Sequence, residues 1–295
     1  MAYGIGANDV ANAMGTSVGS KALSLTQALV IASIFTFMGA YFAGAEVTTT
    51  IRENIVPPEL FNDDPSVFIL GMLSSLLAAG TWLLFATMFG WPVSTTHSII
   101  GAIAGFSIYY IGWSSVRWEY IGGVTITWLI VPFVAALLSG LIYSSAKRFI
   151  IKAKDPLEAG RSYIPIYAGL VGFLICGITL TKSLANTDIP VLITQYFGDQ
   201  DVIAVNIGIS FFVALICYGI SRLILSHYLS TSSDPNIEGK FAVLMIFTAC
   251  SIAFAHGSND VANAVGPMAA IISTIENLGS VESQSVVPEW VLLTG

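Results

Sequence analysis

Charged side chains are scarce in this sequence: Asp, Glu, Lys and Arg make up 10% of its 295 residues, against 55% hydrophobic residues. So few polar groups cannot cover the surface of a soluble globular protein. No basic patch interleaved with aromatic residues occurs, so nucleic-acid binding is excluded. Cysteine is also rare, and Cys176, Cys217 and Cys250 stand singly in apolar runs, which indicates neither a disulfide framework nor a metal or redox motif.

Long apolar runs dominate what is present. An α-helix needs about 20 apolar residues to cross the hydrocarbon core of a bilayer, and most of the runs approach or exceed that length. They predict about eight helical crossings, with a ninth that begins near Trp290. The sequence therefore predicts an all-α, multi-pass integral membrane protein. The runs cover residues 25–45, 66–90, 98–112, 121–146, 164–181, 202–221 and 241–255.

One polar motif occurs twice within this apolar background. Residues 6–15 read GANDVANAMG, and residues 257–266 read GSNDVANAVG, so eight of ten positions are identical at an offset of 251. Carboxylates in apolar surroundings are costly and usually functional. On a helix, Asp9 and Asn12 share a face, and their oxygens are hard ligands that suit a cation such as sodium. The predicted sodium ligands are Asn8, Asp9, Asn12, Asn259, Asp260 and Asn263.

An alternative is that these residues only form hydrogen bonds between helices, with glycines for close packing. The duplication favours the functional interpretation. The glycines around each copy also predict that the helices are broken there, so that free backbone groups line a cavity.

The distribution of basic residues sets the orientation of the spans. Five of the eleven basic residues fall in one loop, which the positive-inside rule places in the cytoplasm: Lys147, Arg148, Lys152, Lys154 and Arg161. Counting spans from this loop makes the two copies of the motif antiparallel. This arrangement predicts inverted-topology repeats. We expect a first repeat at 1–146, the basic loop at 147–163, connecting spans at 164–239 and the start of a second repeat at 240–295.

A second polar element, PVSTTH at residues 92–97, lies between two apolar runs. Proline interrupts the helix, and the hydroxyls of Ser94, Thr95 and Thr96 then lie at the start of the next helix, which favours an anion. The segment after Trp91 is either a crossing or a re-entrant hairpin. The alternative for the hydroxyls is an ordinary N-cap by Ser94 or Thr95. The Gly101-x-x-x-Gly105 spacing that follows predicts close helix packing.

Three further residues adjoin these motifs and are weaker candidates: His97, His256 and Thr16. Either histidine could relay protons or contact a substrate. A histidine that only bonds a neighbouring helix is the alternative.

These motifs together resemble the inorganic phosphate transporter (PiT) family, which carries a GANDVANA-type signature in each of two inverted halves and a PVSTTH element. Thr50-Ile51-Arg52 is similar to the T-I-R of that family. The resemblance, strongest to the bacterial and sodium-coupled members, implies symport of inorganic phosphate with sodium or protons. By position, Asp9, Asn12, Asp260 and Asn263 would hold cations and face phosphate, and Ser94, Thr95 and Thr96 would bind phosphate oxygens.

The resemblance implies a transporter rather than an enzyme, placed in the cell membrane of a bacterium, with sodium as a co-substrate and no cofactor. A symmetric second PVSTTH element is expected about 83 residues after Asp260, beyond Gly295. We therefore expect the chain to be part of a longer polypeptide. A homodimer is compatible with the sequence.

The distribution of charged residues suggests that the anion is transported together with cations. No lysine or arginine lies in the middle of a span, so two carboxylates and phosphate would place about four negative charges in a site of low dielectric constant. Sodium ions or protons would have to enter with the anion. Proton coupling, sulfate as the substrate, an intramembrane hydrolase with Asp9 and Asp260 or with Ser94 and His97, and an ion channel stay as alternatives.

Overall fold

The computed structural model describes residues 1–44, 54–183, 202–231, 242–277 and 289–294. Nearly all regular structure in these ranges is helical, and they contain no strand. The predicted all-α class is therefore confirmed for the described part of the chain. The Thr50-Ile51-Arg52 stretch lies outside it.

Nine α-helices occur in the described ranges. They are α1 (Ala2–Gly19), α2 (Leu25–Ala43), α3 (Pro65–Met88), α4 (Thr95–Tyr110), α5 (Trp118–Ala146), α6 (Pro156–Ile178), α7 (Val202–Thr231), α8 (Ala242–Glu276) and α9 (Glu289–Thr294). Short 3₁₀ turns lie at Pro58–Phe61 and Trp113–Ser115, and π-helical turns follow α5 and α6 at Lys147–Ile151 and Thr179–Ser183.

Five of the described helices are long and apolar enough to cross a membrane. Their apolar stretches are Leu25–Phe42, Pro65–Met88, Trp118–Ile151, Pro156–Thr181 and Val202–Ser226. They coincide with five of the seven apolar runs. Of the other two runs, 98–112 falls on α4, which has only 16 residues. The run at 241–255 falls on the first half of α8, which continues into the second copy of the polar motif.

The helix is interrupted where Pro92 predicts it. Helix α3 ends at Met88, and Gly90 follows with a φ of 67°, a conformation that glycine adopts without strain. Helix α4 begins at Thr95 after the N-cap Ser94. Because Pro92 has no N–H to donate, the helical hydrogen-bond pattern cannot continue through it.

The predicted helix breaks at the Asn-Asp motifs are wrong. Helix α1 runs through residues 6–15 and α8 runs through residues 257–266 without interruption. Glycine permits a departure from helical geometry but does not require one. Alanine, which has the highest helix propensity, recurs in both copies, and every broken backbone bond would be costly in an apolar environment. Side chains, rather than exposed carbonyl groups, therefore carry the polar chemistry of these helices.

The chain forms two compact units. Unit 1 comprises Met1–Thr16, Leu29–Ile126 and Ile252–Gly295 and contains both copies of the polar motif as well as residues 92–97. In its core, α3 packs on α4, and the ring of Phe61 lies 5.4 Å from the rings of both Phe68 and Phe106. The boundaries of the two units differ from those of the predicted repeats, so the division into repeats stays a prediction.

Unit 2 comprises Ser17–Ala28 and Thr127–Ser251. Within it α6 packs against α7, and glycines let the two backbones approach: a Cβ at Gly169 would lie 3.1 Å from the carbonyl oxygen of Ala214. Helix α6 begins at Pro156, where the side chain of Asp155 accepts hydrogen bonds from the first free backbone N–H groups. Most of the large side chains of α5 are exposed, and none is buried, as expected for a lipid-facing helix.

Glycines also bring α2 and α8 together inside unit 1. A Cβ at Gly257 would collide with the backbone carbonyl group of Thr36, and one at Gly39 would collide with that of Phe254. The predicted packing role of Gly101 and Gly105 is wrong for the described residues, because a Cβ at either position meets no atom within 4 Å.

We therefore expect Gly257→Ala to destabilise the protein by about 1–3 kcal/mol, because backbone atoms cannot yield to the added methyl group. Gly101→Ala is the matched control and should be neutral or slightly stabilising, since alanine favours an open helical position. Thermal unfolding in detergent measures the difference. Equal midpoints for the two variants would contradict the contact between α2 and α8.

Candidate functional site

The carboxylates of the two motif copies meet at one histidine. Asp9 on α1 and Asp260 on α8 lie with their Oδ2 atoms 3.5 Å and 2.8 Å from Nε2 of His256, which precedes Asp260 by one helical turn. One ligand atom from each of the three side chains lies within 4.8 Å of the others. Asp9 is only 7% exposed. Two residues that are 251 positions apart in sequence thus form one polar cluster in unit 1.

Each motif holds its carboxylate with its own asparagine. Asn12 donates to Oδ1 of Asp9 at 3.1 Å, and Asn263 donates to Oδ1 of Asp260 at 3.1 Å. These bonds connect residues three apart on a helix, as the sequence predicted for a shared face. The two copies therefore have the same local geometry.

The hydroxyl groups of α4 contact the second copy of the motif. Asn263 Nδ2 lies 3.2 Å from Thr95 Oγ1 and 3.1 Å from Thr96 Oγ1, and Thr95 Oγ1 lies 3.5 Å from Oδ1 of Asp260. A carboxamide has two N–H hydrogens, so Asn263 shares them among three acceptors. Asn263 is 1% exposed and Thr95 is 3% exposed. The first turn of α4 and the second motif are thus joined in a buried hydrogen-bond network.

Three other predicted residues have more peripheral positions. Ser94 is exposed and acts as the N-cap of α4, where its Oγ accepts from the backbone N–H of His97 at 3.2 Å. This agrees with the N-cap interpretation of Ser94. His97 is exposed in the same turn. Thr16 is exposed near the end of α1, about two helical turns after Asp9.

The first asparagine of each copy has different partners. Asn259 is exposed and lies 3.4 Å from Oδ1 of Asp260. Asn8 instead bonds Thr87 and the backbone of Trp91 and Val93. The sequence did not single out Thr87, because one hydroxyl in an apolar run usually bonds its own helix; Thr87 indeed donates to the carbonyl oxygen of Leu83 at 2.8 Å.

Two cavities adjoin His256 on the side of α2. One has a volume of about 450 Å³ and includes Tyr3 and Val10 in its lining; the other has about 260 Å³ and includes Asp260. Both are lined by Ser33 and Thr36 of α2. Sequence reasoning missed these two hydroxyl residues, since their only signal is that they are polar residues three apart in an apolar helix.

The chemistry of the cluster follows from its donors and acceptors. Carboxylate and carboxamide oxygens suit hard cations. The start of α4, with its free backbone N–H groups and two hydroxyls, suits an anion. The imidazole of His256, between the carboxylates, can carry a proton. Groups that suit cations and groups that suit an anion thus lie next to each other.

Comparison with known proteins identifies the family of the chain. A model of the phosphate transporter (PHO4) family matches residues 5–295. The chain belongs to the phosphate transporter family. Its resemblance to such transporters, read from the two motifs, is thereby confirmed. With five helices long and apolar enough to span a bilayer, this family member is a multi-pass membrane protein.

Individual relatives support the assignment. The chain is 40% identical over 296 residues to a Haemophilus influenzae protein named "Putative phosphate permease", covering 100% of this chain and 69% of the relative. It is 35% identical to the Arabidopsis thaliana "Inorganic phosphate transporter 2-1, chloroplastic", of which it covers 52%. A solved structure titled "The sodium-dependent phosphate transporter" matches with a TM-score of 0.87 and 31% identity, over 99% of this chain and 69% of that one.

Proposed function

We propose that this family member imports inorganic phosphate by symport with sodium ions. Sodium would bind the oxygens of Asp9, Asn12 and Asp260 and bridge them to phosphate held by the hydroxyls of Thr95 and Thr96. Support comes from the family, whose relatives include phosphate permeases, and from the similarity to a solved structure whose title names sodium dependence. The protein would act in the cell membrane.

One observation carries the proposal. Asp260 Oδ1 lies 3.5 Å from the Thr95 hydroxyl, and its other oxygen lies beside His256, where Asp9 also lies. A cation bound to these carboxylates would therefore lie close enough to the α4 hydroxyls to contact an anion that those hydroxyls hold. This supports a site in which cation and phosphate bind together.

Electrostatics favour binding with cations over binding of phosphate alone. Two carboxylates and divalent phosphate amount to about −4, and a protonated His256 reduces this only to about −3, which is prohibitive in a site of low dielectric constant. Two sodium ions with monovalent phosphate would carry net positive charge inward. The membrane potential would then assist uptake by about 2.3 kcal/mol per charge per 100 mV.

Proton-coupled phosphate symport is the second candidate. The position of His256, within 3.5 Å of an oxygen of both aspartates, favours it, because imidazole and carboxylate can pass a proton between them. In that case a proton on the Asp9, His256 and Asp260 cluster would take the place of a sodium ion.

Uptake of radiolabelled phosphate into proteoliposomes tests the proposal. Sodium and pH gradients are varied separately, and a large excess of sulfate is added in a parallel series. We expect uptake that requires sodium, persists without a pH gradient and is not reduced by sulfate. Uptake that continues in sodium-free buffer and follows the pH gradient would instead establish proton coupling. Strong inhibition by sulfate would contradict selectivity for phosphate.

A further inference from the structure

The side chain of Asn8 is occupied by contacts outside the carboxylate cluster. Its Nδ2 donates to Thr87 Oγ1 at 3.2 Å and to the carbonyl oxygen of Trp91 at 3.1 Å, and its Oδ1 accepts from the N–H of Val93 at 3.4 Å. These bonds use both N–H hydrogens and one lone pair of the carboxamide. All three partners lie at the end of α3 or in the segment between α3 and α4.

That segment, residues 89–94, is the interruption caused by Gly90 and Pro92. Backbone N–H and C=O groups in an interruption lack the partners that a continuous helix provides. In a membrane protein such groups must be satisfied by other parts of the protein. Asn8 does this for the carbonyl group of Trp91 and the N–H of Val93, the residues on either side of Pro92.

The second copy of the motif does not use its first asparagine in this way within the described residues. Asn259 is exposed, and its hydrogen bond is to the neighbouring Asp260, at 3.4 Å. The two asparagines stand at the same motif position, so the sequence alone assigns them the same role. The contacts distinguish them.

The interruption leads directly into the proposed phosphate site. Val93 precedes Thr95 by two residues, and the Thr95 and Thr96 hydroxyls lie 3.2 Å and 3.1 Å from Asn263. Thr95 is buried, so its hydroxyl can reach Asn263 and Asp260 only if the chain enters α4 at the right place. Asn8 holds the chain at that entry from the side of α1.

We propose that Asn8 is a positioning residue for phosphate: it fixes residues 89–94, and through them the hydroxyls of Thr95 and Thr96, instead of binding sodium as its motif suggests. The assignment deepens the proposed function and rests on it for the identity of the substrate. It makes a kinetic prediction, since loss of the contact should weaken the anion site and leave the cation site intact.

Thr87 supplies a test that leaves the motif itself unchanged. Thr87→Val removes the acceptor for Asn8, and Thr87→Ser restores a hydroxyl. Thr125→Val is the matched control, because Thr125 makes the same bond to a carbonyl group four residues earlier, to Ile121 at 2.8 Å, and is exposed on α5. Asn8→Ala completes the set by removing all three bonds.

Transport kinetics in proteoliposomes give the first measurement. We expect Asn8→Ala and Thr87→Val to raise the phosphate KM about five- to tenfold, with the sodium concentration for half-maximal uptake, measured at saturating phosphate, within about twofold of the wild type. Thr87→Ser should restore the KM, and Thr125→Val should not change it. A shifted sodium requirement with an unchanged phosphate KM would overturn the proposal and make Asn8 a sodium ligand.

Hydrogen–deuterium exchange gives a second measurement that does not depend on transport. Amides of residues 89–97 should exchange faster in Asn8→Ala and Thr87→Val than in the wild type and in Thr125→Val. Unchanged exchange in both variants would overturn the positioning role. A wild-type protein without sodium-dependent phosphate uptake would instead contradict the proposed function, and the exchange rates would still decide whether Asn8 holds the interruption.

Discussion

Asp260→Asn is expected to reduce sodium-dependent phosphate uptake at least about a hundredfold, the scale on which removing one charge from a buried, hydrogen-bonded site weakens binding. Asp260 contacts the histidine, the buried asparagine and the first turn of α4. Its Oδ2 lies 2.8 Å from His256, and its Oδ1 accepts from Asn263 at 3.1 Å and lies 3.5 Å from the Thr95 hydroxyl. Asparagine has nearly the same shape as aspartate but carries no charge, so it attracts a cation to this position much more weakly.

Asp9→Asn should also abolish coupled uptake, because Asp9 supplies the other carboxylate at His256. Asp63→Asn is the matched control: it makes the same chemical change at an exposed position of unit 1 and should transport normally. Initial rates of radiolabelled phosphate uptake are compared at equal amounts of reconstituted protein, with thermal unfolding as a check on folding. Normal sodium-dependent uptake by a folded Asp260→Asn variant would refute the role assigned to the motif.

Asn263→Ala is expected to have the largest effect after the two aspartate substitutions. This asparagine is almost completely buried and is the donor that joins Asp260 to both threonine hydroxyls of α4. Its removal takes the donor away from the buried hydroxyl of Thr95 and from its partners Thr96 and Asp260, which costs about 1–3 kcal/mol of stability. It also frees the first turn of α4, so uptake should fall at least about tenfold, on the scale of one lost hydrogen bond in the site.

The effect of Asn263→Ala should differ from that of an ordinary surface substitution. Asn62→Ala is the control, since Asn62 is exposed and follows the short turn at Pro58–Phe61 in unit 1. Thermal unfolding and phosphate uptake are measured for both variants. If Asn263→Ala unfolds at the wild-type temperature and transports like Asn62→Ala, the network between α4 and α8 is not what holds the site together.

Much of the candidate site could be predicted from the sequence, because its signals are local. The duplicated motif identified Asp9 and Asp260, and the spacing of three residues predicted that Asn12 and Asn263 lie on the same helix face as these aspartates, to which they donate hydrogen bonds in the structure. Pro92 predicted the interruption before α4, since proline cannot donate to the preceding turn. Each of these inferences needs only the geometry of one helix.

The predictions that failed required knowledge of a neighbouring element. Glycines in the Asn-Asp motifs indicated broken helices, yet α1 and α8 continue, and the close approach at Gly257 serves packing against α2. The spacing of Gly101 and Gly105 indicated close packing, but no described atom lies near either position. A glycine in the sequence does not distinguish a helix break from a helix crossing or an exposed position, because it has no side chain whose polarity or size indicates its surroundings.

Composition and the two polar motifs by themselves indicated a helical membrane protein that resembles the phosphate transporter family, with one aspartate in each copy of the motif as the first candidate for its site. Only the tertiary structure decided that both carboxylates share His256, that Thr95 and Thr96 contact the second motif, and that Asn8 and Asn259 have different partners. The reason is that the contacts between different helices in this set join residues 79 or more positions apart, where the orientation of one helix relative to another sets the distance. Periodicity along one helix carries no information about that direction.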